Sequence, residues 1–221
     1  FSINKITITP VSWISATIDQ NLMFFVLIAI FFYIGTASAL RSPGKYPVVR
    51  IIIFSIVAWL AFKSKLMAWT LPGIYLMLDF IYCNQQKGLK DRIIDSVKIW
   101  IQIVWPLLVL TLIYIPHFFE YHNDIPRTGE YAASYDPLNY FYSWGKYLSN
   151  VIALNGYFTR GDTLIGGTVG VAIILYGLIF QIRAILFGML WFSIAIVPVA
   201  ILKTHHFDHH LYYPIFGLVM A

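Results

Sequence analysis

Two lysines flank a serine in Lys63-Ser64-Lys65, at the end of one apolar run and the beginning of the next. Ammonium groups at a membrane surface attract phosphate, so this pair can hold the headgroup of a phospholipid or of a polyprenyl phosphate. Lysines at helix ends also reach outward simply to keep their charge in water, and that reading stays open beside the first. A second constellation is His205-His206-Phe207-Asp208-His209-His210, followed by Leu211-Tyr212-Tyr213-Pro214. Imidazole and carboxylate both suit zinc and similar ions, but adjacent histidines in an irregular turn have no defined ligand spacing. The turn is read as a polar connection or a phosphate contact, the latter strengthened by any imidazolium present near pH 6.5; no metal site is assigned. Asp19 is a third candidate. A carboxylate there can serve as general base towards an acceptor hydroxyl, or it can cap the helix that follows and complement its dipole.

Other chemistries lack their residues. No glycine-rich nucleotide loop and no Ser-His-Asp arrangement stands out, and the single cysteine, Cys83, cannot build a disulfide framework or a cysteine-ligated cluster. Gly166, Gly167 and Gly170 lie within an apolar run, where small residues serve close helix packing. Asp79 sits near the end of an apolar stretch and is assigned to the interface, because a carboxylate at a bilayer centre is costly.

The elements that position these residues follow from composition. Of 221 residues 59% are apolar and 11% charged, with mean hydropathy +0.73; soluble domains average about 25% charged. This predicts an all-α, polytopic transmembrane bundle of about seven spans, read as a single transmembrane domain over residues 1–221. The runs are Asn21 to Leu40, Val48 to Phe62, Leu66 to Cys83, Val97 to Ile115, Leu164 to Ile182 and Ala184 to Leu202, with a seventh beginning at Leu211. No strand-like alternation supports a barrel. Arg41, Lys45 and Arg50, then Lys87, Lys90 and Arg92, then Arg183 fall in alternate connections, which the positive-inside rule puts in the cytoplasm. Lys63, Lys65, the histidine-rich turn and a long polar loop over 116–162 then share the outer face. Within that loop, Tyr140 to Phe158 reads as a helix lying along the interface. Phe1 is not an initiator Met and the last run is short, so the chain reads as an internal segment of a longer protein.

The order of motifs resembles a known family. Trp59 to Pro72, with its Lys63-Ser64-Lys65-Leu66-Met67 and Thr70-Leu71-Pro72, leads to Leu76-Met77-Leu78-Asp79-Phe80. This is similar to bacterial protein O-mannosyltransferase-like proteins of the glycosyltransferase C superfamily, which often carry tetratricopeptide repeats. Trp191-Phe192 closing in Val197-Pro198-Val199, and Asp208-His209-His210-Leu211-Tyr212-Tyr213-Pro214, resemble two further family motifs. The resemblance implies sugar transfer from a polyprenyl phosphate on the outer face, with Lys65 and His209 facing the lipid phosphate and Tyr212 beside them. The family arginine is His209 here, and the family's catalytic acids fall upstream of Phe1. The residues and the resemblance together give an expected lipid-phosphate site of Lys63, Lys65, His209, His210 and Tyr212, with Asp19 the candidate acid inside the chain. The resemblance implies a bacterial inner-membrane location with the long loop periplasmic, no cofactor apart from the lipid-linked sugar, and lipids or membrane subunits rather than nucleic acid as partners. The alternative is a diverged, non-catalytic structural or lipid-binding subunit of a larger membrane complex.

Overall fold

A computed structural model describes residues 17–42, 46–83, 88–123, 136–153, 160–200 and 211–220. Every regular element among the described residues is helical: α1 (Thr17–Arg41), α2 (Val48–Ser64), a 3₁₀ turn (Leu66–Thr70), α3 (Leu71–Leu78), a π-helical turn (Asp79–Cys83), α4 (Leu89–Asn123), α5 (Pro137–Ala153), α6 (Arg160–Ile179), α7 (Arg183–Ala195), α8 (Val197–Ala200) and α9 (Tyr212–Met220). Among the described residues two helices are long and apolar enough to cross a bilayer, Thr17–Arg41 and Leu89–Ile113. Shorter apolar helices cover Thr163–Ile179 and Arg183–Ala195. The chain forms two compact units, one of Asn21–Asp124 and one of Ile125–Ala221 together with Phe1–Gln20.

In the Asn21–Asp124 unit, α1 and α2 run antiparallel, and the Arg50 guanidinium donates Nη1–H to the Gly35 carbonyl across the pair at 3.0 Å. The core is aromatic. Tyr33 of α1 stacks on Tyr75 of α3 at 5.0 Å and 16°, and Phe54 of α2 meets Tyr75 edge-on at 5.1 Å, an arrangement that ring quadrupoles favour. All three rings are fully buried. Trp100 of α4 ties in by donating its indole N–H to the Pro72 carbonyl at 2.7 Å. Pro72 sits in the first turn of α3, where a missing N–H removes no helical bond.

Two prolines do not end α4. Pro106 and Pro116 both lie inside it, and the helix continues to Asn123. The first part of the polar loop expected over 116–162 is therefore helical, for about two turns past Pro116. A proline removes one backbone bond and kinks a helix, but inside an apolar stretch helix remains the way to satisfy the other backbone groups.

In the other unit, Asp136 caps α5 by accepting the Leu138 N–H on Oδ1 at 3.0 Å, with Pro137 as the first helical residue. The helix expected over Tyr140 to Phe158 is this one, starting at Pro137. It packs on α6 through glycines. A Cβ on Gly145 would come within 2.6 Å of the Thr163 carbonyl, and one on Gly166 would run into the Gly145 carbonyl and stand 2.7 Å from the Ser149 nitrogen. A Cβ on Gly170 would strike Trp144 and Leu148. The small-residue run is thus helix-packing material, as its setting in an apolar stretch suggests. α7 and α9 meet around Trp191, which touches the rings of Phe187, Tyr213 and Phe216 and donates its N–H to the Tyr213 carbonyl at 3.2 Å.

Candidate functional site

Lys63 and Lys65 bracket the break between α2 and the 3₁₀ turn. Lys65 leaves the helix in an extended conformation, φ −160° and ψ 145°, its N–H still donating to the Ala61 carbonyl. Lys63, in the last turn, is exposed, and its ammonium lies 5.3 Å from the centre of the Trp59 ring, a cation–π distance. Lys65 is half-buried. Phe62 and Trp69 stack across the break at 6.0 Å and 18°, which fixes its geometry. A cation in the last turn also complements the negative end of the α2 dipole.

Of the remaining expected site residues, Asp19 lies in the first turn of α1 and is 4% exposed, the position of a dipole partner. His209 and His210 lie outside the described residues, as does the whole 205–210 turn considered for a divalent ion; Tyr212 opens α9. Among the described residues no group of three histidine, cysteine, aspartate or glutamate side chains is placed to hold a metal.

The most organised charge cluster is one that sequence reasoning did not assemble. Arg41, the last residue of α1, donates Nη1–H to Asp79 Oδ1 at 3.0 Å and Nη2–H to Asp79 Oδ2 at 2.6 Å. This is a bidentate fork, the strongest form of the pair. Its Nε–H also reaches Asp95 Oδ2 of α4 at 3.4 Å. The Asp79 side chain is completely buried, while Arg41 and Asp95 keep about a fifth of theirs exposed. Asp79 opens the π-helical turn, and Arg92 lays its guanidinium 4.3 Å from the Phe80 ring centre beside it. With one guanidinium engaging both Asp79 oxygens and reaching Asp95, Arg41 works as a clamp joining α1, the π turn and α4. The signal available in the sequence was a carboxylate inside an apolar run, which demands a cation.

The second unit has a polar seam of its own. Ser193 of α7 accepts the Tyr140 hydroxyl on its carbonyl at 2.7 Å and the Trp144 indole N–H on its hydroxyl at 3.1 Å. Asn139 donates to the Ala200 carbonyl at the end of α8 at 3.0 Å, supplying a partner that a helix end otherwise lacks. Burial pushes the Tyr140 phenol up to about 12, since the anion would lose its hydration there. No protein-family model matches this chain, and no curated protein or solved structure is significantly similar to it.

Proposed function

We propose that this chain is a polytopic membrane protein of about seven spans that handles a polyprenyl-phosphate-linked sugar at the end of the bundle carrying Lys63 and Lys65. Support for membrane embedding comes from the outward faces of the helices. Phe24, Phe31 and Ile34 of α1, Ile52 and Ile56 of α2, Leu112 and Ile113 of α4 and Leu175 and Ile179 of α6 are all exposed. Soluble proteins rarely present apolar surface on this scale. The observation that carries the functional reading is the broken end of α2, where an exposed ammonium and a half-buried one stand two residues apart beside Trp59 and Trp69. Two cations and flanking aromatics suit a phosphate on a long apolar chain.

A second reading, a non-catalytic lipid-binding or structural subunit, is favoured by a specific observation. Asp79 and Asp136 are both occupied structurally, one by Arg41 and the other as the cap of α5. The experiment separates the two readings. The purified chain is titrated with a short-chain polyprenyl phosphate while tryptophan fluorescence is followed, and is then incubated with the radiolabelled polyprenyl-phosphate sugar and a hydroxyl acceptor. Binding that weakens about tenfold or more in K63A/K65A, together with label transfer, supports the transferase. The same binding without transfer supports the subunit reading. Binding that is equal in the double variant removes the site from both.

A further inference from the structure

At the opposite end of α2 lies a polar cavity of about 450 Å³ between the end of α1 and the start of α2, lined by Gly35, Ser38, Ser42, Tyr46 and Arg50. Arg50 is exposed. One of its N–H groups is given to the Gly35 carbonyl, and no ion pair joins it to a carboxylate among the described residues. It thus contrasts with Arg41, which two carboxylates neutralise. A guanidinium anchored by one nitrogen keeps several donors in a fixed fork, the geometry that grips a phosphate through two oxygens. The hydroxyls of Ser38 and Tyr46 add neutral donors around it, while the Ser42 hydroxyl donates to the Ser38 carbonyl at 3.4 Å.

Tyr46 belongs to a second hollow as well. An apolar groove of about 320 Å³ runs between α2 and α4, walled by Val48, Ile52, Ile56 and Trp105 and opening at Tyr46. These side chains are half or more exposed. From Val48 to Ile56 the groove follows about 12 Å of helix. A cationic, hydroxyl-rich cavity and an apolar channel sharing one tyrosine match the two ends of a single amphiphile.

We propose that this paired site binds an anionic phospholipid, the phosphate on Arg50 in the cavity and an acyl chain along the α2–α4 groove. Charge complementarity at Arg50 and the continuity of the two hollows through Tyr46 select this occupant over a soluble phosphate, which would leave the groove unused. The proposal is independent of the Lys63 and Lys65 site at the other end of α2.

The test reconstitutes the full chain in nanodiscs of zwitterionic phosphatidylcholine doped with phosphatidylglycerol, either lipid carrying brominated acyl chains that quench nearby tryptophan. W105F identifies the Trp105 share of the quenching. Brominated phosphatidylglycerol is expected to quench Trp105 at about tenfold lower mole fraction than brominated phosphatidylcholine. R50Q abolishes that preference and R50K keeps part of it, while circular dichroism reports that the helices persist. Equal quenching by the two lipids in the wild type overturns the proposal, as does a preference unchanged in R50Q. Displacement of phosphatidylglycerol by inorganic phosphate at equal concentration would make the cavity a free-phosphate site and overturn the lipid assignment.

Discussion

Replacing Arg41 by methionine leaves Asp79 fully buried and without its cation. Both Asp79 oxygens are held by Arg41, at 3.0 and 2.6 Å, and none of the Asp79 side chain reaches the surface. Removing one partner from a buried ion pair costs about 3–5 kcal/mol, because the survivor is left as an uncompensated charge. The contact to Asp95 is longer and partly exposed, so its loss adds at most about 1 kcal/mol. For a chain of this size each kcal/mol moves the melting midpoint by roughly 2–4 °C, so R41M is expected to melt roughly 6–24 °C below wild type. The converse change, D79N, costs less, about 1–2 kcal/mol, since Arg41 retains Asp95 and partial contact with water. The apolar pair R41M/D79L removes both charges together and recovers most of the loss. Thermal unfolding in detergent micelles, followed by near-ultraviolet circular dichroism, ranks the three variants. An R41M protein as stable as wild type, or a double variant no better than R41M, refutes the view that the clamp is buried and that its cost lies in the orphaned charge.

The glycine contacts separate neighbours in sequence. G166A drives a Cβ into the α5 backbone and is expected to cost about 1–3 kcal/mol, whereas a Cβ on Gly167 finds its nearest neighbour at 4.0 Å, so G167A is neutral or gains up to about 1 kcal/mol of helix propensity; melting of both variants checks this. Y140F removes the bond to the Ser193 carbonyl and is expected to cost about 1–2 kcal/mol. The Tyr140 phenol is raised from 10.0 to about 12 in the folded chain, so the stability it contributes is complete below pH 10 and is lost as pH climbs from 10 towards 12. The wild type should therefore lose stability over that interval more steeply than Y140F, and parallel curves would count against a buried phenol. W100F deletes the 2.7 Å bond to the Pro72 carbonyl and is expected to cost about 1–2 kcal/mol in the same melting assay.

Much of the helical framework was legible in the sequence because hydrophobic runs and caps are local signals. The run beginning at Asn21 became α1, the run beginning at Val48 became α2, and each ends within a few residues of its apolar boundary. The helix expected from Tyr140 was legible too, but its start was not: Asp136-Pro137 opens α5 three residues earlier by supplying a capping oxygen and a residue that needs no helical N–H. Gly166 and Gly170 in an apolar run marked a close helix contact before its partner was known. Lys63-Ser64-Lys65 was recognisable as a phosphate candidate from charge and position alone, while the Trp59 ring under Lys63 and the stacked Phe62 and Trp69 belong to the folded chain.

What only the tertiary structure decided is which distant groups meet. Arg41 reads in the sequence as one more basic residue of a connection, and Asp79 as an interfacial acid. Their partnership spans 38 positions, and that of Arg41 with Asp95 spans 54. Tyr140 and Ser193 meet across 53. Such pairs depend on the rotation and vertical offset of one helix against another, which packing around Tyr33, Phe54, Tyr75 and the α5–α6 glycines sets. A periodic pattern tells which face of a helix is apolar, but not which residue of its neighbour stands opposite. The apolar composition of this chain was therefore written along its length, and the placement of its few charges was settled only when the helices packed.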